Sequence, residues 1–469
     1  MRTTLLFLAL LVSKVSFSQD MLGVSNGNYA GNSGMAMNPT AMLLMPYKWE
    51  LQILSFNLSV DNNFVGMPKR KILGGTESMN NEPYGGLNFY TNSRDKAANM
   101  HFALGLPAII FRFKDMAIGA HMTIRNDLSV HNVSSDLAIL AYKGMDYKSI
   151  QGRNIAVDGM RIGDLTFIET AISFGKQLSK SESRKWLAAG SLKYITAFQG
   201  SYAGIDDASL RVENDTTIYI TKIKGSIDYS YIEDPADLLK FRCTGIGFDL
   251  GTQYVSNPFT QKYSNGRPIP MKKYDYRVGV SLMDLGFVRF GRNAHAMDFN
   301  TDALNFDNVP NTQINGTAGV DSLIYATAMN GTAIKNSFVM SLPTGLSIQF
   351  DRCLKPRWYL NMTAIQRVPM PMARVDRPNM LGATIRYETP FFEVGFPYSF
   401  YDYYRHRLGL AMRYHIFYIG TDRMGTFISD RFAGDDITGV DLYFGFKLTS
   451  IDFKRKSKPH SHVGCAAYY

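Results

Sequence analysis

The chain has 469 residues, 45% of them hydrophobic and 13% aromatic, with 27 Tyr, 30 Phe and a formal net charge of +10. Its three cysteines, Cys243, Cys353 and Cys465, are odd in number and far apart, which excludes a disulfide framework or a cysteine-based metal site. No stretch approaches the ~20 uninterrupted apolar residues of a membrane-crossing helix, whereas one β-barrel can absorb this length.

Arg2, the apolar run from Leu5 to Val12 and the small residues Ser16 and Ser18 read as a secretory signal over residues 1–18, with Gln19 starting the mature chain. No cysteine stands at that point, so no lipid anchor is expected. Export argues against nucleic acid as the partner of the positive charge. Residues 19–46, rich in Gly, Asn, Ala and Met, are expected to form a short helical or irregular plug segment. A barrel follows over 47–449. Residues 450–469, with Lys454, Arg455, Lys456 and Lys458, form a basic tail suited to solvent or to anionic lipid head groups.

Period-2 alternation recurs from about residue 100 to residue 448. Met116, Ile118, Ala120, Met122 and Ile124 oppose Ala117, Gly119, His121, Thr123 and Arg125. Ile168, Thr170, Ile172 and Phe174 oppose Glu169, Ala171, Ser173 and Gly175, and Tyr274, Tyr276, Val278, Val280 and Leu282 oppose Asp275, Arg277, Gly279 and Ser281. The series continues with Leu381, Ala383, Ile385 and Tyr387 against Gly382, Thr384, Arg386 and Glu388. Leu408, Leu410, Met412 and Tyr414 then oppose Arg407, Gly409, Ala411 and Arg413. It ends with Val440, Leu442, Phe444, Phe446 and Leu448 against Gly439, Asp441, Tyr443, Gly445 and Lys447.

Successive strand residues face opposite sides. A soluble sandwich puts long polar chains on its solvent face, whereas small residues mixed with Arg and Glu suit a crowded barrel interior. The fold class expected is therefore all-β: a single transmembrane antiparallel barrel of about 12–14 strands, its apolar faces toward outer-membrane lipid. Tight turns are expected at Lys114–Asp115, Ser179–Arg184, Lys355–Pro356 and Thr389–Pro390. Residues 128–160, with a short helix at Ser134–Tyr142, and 292–335, without clear strands, break the pattern as long loops.

The string QDMLGVSNGNYAGNSGMAMNPTAML carries an Asn-Pro-small motif (Asn38, Pro39, Thr40) just ahead of the first strand. It resembles the N-terminal segment of FadL-type transporters and of PorV-type barrels. YDYRVGVSLMDLGFVRF, SLPTGLSIQFD, LGLAMRYHIFYIGTDRM and GVDLYFGFKL are similar to an uncharacterised outer-membrane barrel family of Bacteroidota, a domain of unknown function. The resemblance spans roughly residues 20–450. It implies a barrel and a Bacteroidota outer membrane, and supplies no substrate.

No nucleophile elbow, zinc-protease, phosphate-loop or dinucleotide motif stands in a convincing context, so no catalytic residue, cofactor or metal is assigned. His460, His462 and Cys465 lack a fourth ligand. His121 and His406 are read as lumen or rim packing among the chain's eight histidines. The lumen-facing candidates are Arg125, Glu169, Lys193, Asp275, Arg277, Arg386, Glu388, Arg407, Arg413, Asp441 and Lys447. Their basic excess suits anionic solutes in an open pore, and equally a plugged barrel whose charges pair internally. The resemblance of the Asn-Pro motif points instead to a hydrophobic ligand. Two functions are carried forward. One is passive transport or binding of small, hydrophobic molecules. The other is a non-transporting barrel that docks a protein partner in a surface secretion or attachment complex.

Overall fold

The computed structural model describes residues 21–69, 87–179, 181, 183–230, 243–258, 263–264, 267–268, 273–291, 293–306, 334–425 and 436–450. The segment expected to be a signal (1–18), Gln19 and the tail beyond Ser450, with its lysines, histidines and Cys465, lie outside the described residues.

Fourteen antiparallel staves close into a barrel. They are β1 (Trp49–Asn62), β2 (Lys96–Gly105 with Ala108–Arg112), β3 (Met116–Val133), β4 (Asn154–Gln177), β5 (Arg184–Val212), β6 (Ile218–Ser230 with Cys243–Ser256) and β7 (Tyr276–Phe290 with Ala294–Phe306). There follow β8 (Ile334–Lys335, Phe338–Ser341 and Gly345–Lys355), β9 (Trp358–Arg367), β10 (Met380–Glu388), β11 (Phe392–Tyr401), β12 (Arg405–Leu408 with Leu410–Tyr414), β13 (Phe417–Thr421) and β14 (Gly439–Thr449). Closure comes from β14 pairing with β1, Thr449 opposite Glu50 and Gly439 opposite Asp61. The turns expected at 114–115, 179–184, 355–356 and 389–390 all lie at one end, the short-turn end.

The alternation sets which way each face looks. On β4, Ile172 is 65% exposed on the outside while Ser173 is fully buried. On β14, Tyr443, Gly445 and Lys447 are buried while Phe446 is exposed. The outer surface is apolar and the interior carries the charges, the reverse of a water-soluble fold.

Three expectations need correction. Residues 128–160 are not mainly loop, because β3 runs on to Val133 and β4 begins at Asn154, leaving helix α4 (Ser135–Lys143) between them. Residues 292–335 include a strand, Ala294–Phe306, which pairs along Ile218–Ser230. Main-chain pairing holds these stretches without the outward apolar alternation of the rest of the wall. Tyr274, read as outward, is buried, because it sits in the connection before β7 and turns inward to Asp351. The inward faces of β4 and β5 also carry an apolar patch. Beyond the bulge at Thr166/Phe167, Leu165 and Phe167 point inward into an apolar cluster with Ile195, Val288, Phe290 and Met340.

Candidate functional site: a filled lumen and a break in its wall

Residues 21–47 fold inside the short-turn half of the barrel as three single-turn helices, α1 (Leu22–Ser25), α2 (Asn32–Met35) and α3 (Ala41–Leu44). None is long enough to be stable alone. The surrounding wall holds them. Gly31 takes φ +54, and a Cβ there would lie 2.1 Å from a Glu50 oxygen, so this turn demands glycine.

The Asn-Pro motif organises the far end of this plug. Asn38 Oδ1 accepts from the Thr40 backbone N–H (3.0 Å) and hydroxyl (2.7 Å), an Asx-type turn that starts α3. Asn38 Nδ2 donates to Gln349 on β8 (3.0 Å), and the Thr40 hydroxyl meets Gln253 on β6 at 3.1 Å. Pro39 packs on Gly251 of β6. A cavity of about 30 Å³, lined in part by Asn26, Asn38, Gln253, Arg277 and Gln349, separates plug from wall and has room for a water molecule.

Five of the eleven lumen-facing candidates hold this filling in place. Arg277 donates to the Asn26 carbonyl and pairs with Asp351, which Arg386 also reaches at 2.6 Å. Arg386 pairs with Glu388, whose second oxygen takes the Asn28 amide at 2.7 Å. Arg413 pairs with Glu393 at 3.0 Å. Lys447 donates to the carbonyls of Tyr29 (2.5 Å) and Ala30 (2.9 Å) and lies 3.4 Å from Glu50.

Arg125, Glu169 and Lys193 sit higher, in a second ionic layer on β3–β7. There Arg125 and Lys193 both reach Asp284 (3.0 and 2.6 Å), and Asp127, Glu169 and Asp249 complete the set. The β9–β10 connection folds in over this layer. Its Arg377 pairs with Asp284 at 3.3 Å, and its Asp376 N–H reaches Ser129. A Cβ at Gly163 would lie 2.2 Å from the Arg374 carbonyl, so the connection presses on β4 where no side chain stands. Asp275 stands apart, half-buried at the short-turn end and bonded to Asn257.

The wall itself changes at β12–β14. β13 pairs with Leu410–Tyr414 on one side and Tyr443–Phe446 on the other, then ends at Thr421. Beyond it, among the described residues, Arg405–Leu408 pairs only with β11, and Val440–Leu442 pairs only with β1. Asp422 and Arg423 turn inward behind this break. The Asp422 N–H donates to Asp441 (2.6 Å), and its carboxylate accepts from Tyr443 and from the plug's Leu22 N–H, both at 2.9 Å. Three arginines converge on Asp61 of β1: Arg407 (2.7 Å), Arg423 (2.6 Å) and Arg405 (3.5 Å), with the Tyr404 hydroxyl at 2.9 Å. Arg405 also bonds Thr438 across the break.

Sequence reasoning named Arg407 and Asp441 here but missed Asp61, Asp422 and Arg423. Asp61 continues the polar face Asn57, Ser59, Asp61, so alternation carried to β1 would have found it. Asp422 and Arg423 follow the strand end and leave no periodic signal. Asp284 was hidden because it sits at φ +53 on a bulge between β6 and β7, where the alternation slips.

No curated protein matches the chain in sequence. Among solved structures it is similar to the toluene transporter TbuX of Ralstonia pickettii, at 9% identity and a TM-score of 0.38, covering 90% of this chain and 94% of that one. It is also similar to the toluene transporter TodX of Pseudomonas putida, at 8% identity and a TM-score of 0.32, covering 92% and 98%. A FadL homologue of Pseudomonas aeruginosa aligns at 11% identity and a TM-score of 0.27, covering 88% and 93%. Likeness at these scores transfers no function. In sequence, the pattern of the family of unknown function DUF5723 matches residues 43–422, and the chain belongs to that family.

Proposed function

We propose that the chain is an outer-membrane barrel of a Gram-negative, Bacteroidota-like cell that passes small apolar molecules. Its own N-terminal segment closes it at rest, and it opens sideways where β13 ends. The break between β12 and β14 carries this reading. In lipid an unpaired strand edge is costly, so barrels close their ladders. Here two facing edges lack ladder partners among the described residues. The head of the plug sits directly behind them, through Leu22 on Asp422. A water-filled pore has no use for such a gap, whereas an apolar solute moving between lumen and bilayer does. Leu408, Val440 and Leu442 line the outer side, and the apolar outer face supports a lipid surrounding. No covalent step is involved.

The second reading, a sealed barrel that docks a protein partner of a surface complex, is favoured by the lumen being packed from plug to β9–β10 connection.

Uptake of a lipophilic fluorescent probe into proteoliposomes separates them. Leu408→Cys and Val440→Cys, joined by a short bis-maleimide cross-linker in a Cys465→Ser background, should abolish uptake. Uptake unchanged by the cross-link rules out the sideways route. Uptake no greater than in protein-free vesicles, with a protein co-purifying, favours docking.

A further inference from the structure

Two lysines touch the plug at Tyr29, and they are bonded very differently. Lys447 donates to two backbone carbonyls and faces Glu50. Lys273, in the connection just before β7, has its Nζ buried with no hydrogen-bond partner, 3.7 Å from the centre of the Tyr29 ring. Arg413 lies 4.7 Å from the same ring. Glu388 and Glu393 are the nearby carboxylates, but Arg386 and Asn28 engage the first and Arg413 the second. A ring face returns only part of the hydration that a buried ammonium loses. A charge left in that condition raises the free energy of the state that buries it.

On the reading that the N-terminal segment is the gate, we infer that Lys273 is its release element: an ammonium trapped unbonded against Tyr29, which destabilises the closed plug and is relieved when the plug leaves. Burial pushes this ammonium down to about 8. Glu388 and Glu393 oppose the shift, and Arg413 and Arg386 add to it. The closed state therefore binds the proton more weakly than an open state in which Lys273 meets water. Closing carries its full penalty below about pH 8, and the penalty fades as pH rises from there toward the ordinary lysine range.

Planar-bilayer recordings of the full chain test this. Openings of the unmodified protein should be at least about tenfold more frequent at pH 7 than at pH 10. Lys273→Met should open about tenfold less often at pH 7 and show no such pH dependence, while Lys273→Arg should open at both. More frequent openings in Lys273→Met at pH 7 would make the ammonium a clasp and overturn the inference. Where openings are too rare to count, amide hydrogen exchange over 21–47 at pH 7 gives the same ordering. Exchange should be slower in Lys273→Met than in the unmodified protein, and equal or faster exchange overturns the inference. A plug–wall link through Thr40→Cys and Gln253→Cys tests the gate itself. If the linked protein opens as often as the unlinked one, the plug is not the gate, whatever Lys273 does.

Discussion

The wall at β3–β5 and the wall at β12–β14 solve the same problem by different means. β4 has 24 residues and β5 has 29, and they pair almost without interruption from Gln177↔Leu187 to Asn154↔Arg211. Main-chain hydrogen bonds hold that side, and its outward residues need only be apolar. β13 has five residues, and beyond it Asp61 and three arginines bind β1, β12 and the inward turn together. A ladder is spread over many weak, equivalent bonds. The Asp61 cluster puts its strength into one carboxylate, so one substitution or one rearrangement can release it.

Removing the carboxylate should have the largest effect. Asp61→Asn leaves the buried guanidinium groups of Arg407 and Arg423, and the half-buried one of Arg405, short of their shared anion, and a loss of about 3–5 kcal/mol is expected for a broken buried pair. The folded, heat-modifiable gel band should convert at a clearly lower temperature. A change no greater than that of a surface substitution would show that the break is held by something else.

On the continuous wall, Ile172→Arg places a charge on the exposed apolar face about midway up the band, at an expected cost of about 2–4 kcal/mol in lipid. His406→Arg, on the outer side of the break where the side chain is already polar and exposed, should stay within about 0.5 kcal/mol. Equal costs at the two positions, measured by urea unfolding in vesicles, would erase the contrast between the walls.

A local effect, confined to the plug, is expected inside. Asn38→Ala removes the Asx turn and the Gln349 bond, at about 1 kcal/mol per neutral hydrogen bond lost. The barrel should melt as before while protease nicks the plug sooner. Unchanged nicking would mean that Asn38 does not hold the segment.

Much of the barrel was legible because an apolar outer face and a packed interior impose a period of two on every stave. Ile172, Tyr414 and Phe446 lie outside, and Arg125, Glu169, Arg386 and Lys447 inside, as a two-sided strand requires. The reading failed where that demand lapses. Ala294–Phe306 is paired without the outward apolar alternation, and Tyr274 lies just off a strand end.

The plug was legible only as a compositional anomaly. Gly, Asn and Met say that a segment is neither strand nor long helix. That Asn28 meets Glu388, and Leu22 meets Asp422, depends on residues some 360 and 400 positions away.

The sequence by itself determined the all-β class, the two faces of the staves and most of the charges that line the interior. Each follows from local chemistry repeated along a strand. Only the tertiary structure decided that those charges are consumed in holding a plug, in the layer around Asp284 and in the cluster at Asp61, and that β13 stops short. Pairing partners and ladder ends are set by closing fourteen staves around a particular filling, and no local pattern encodes that closure.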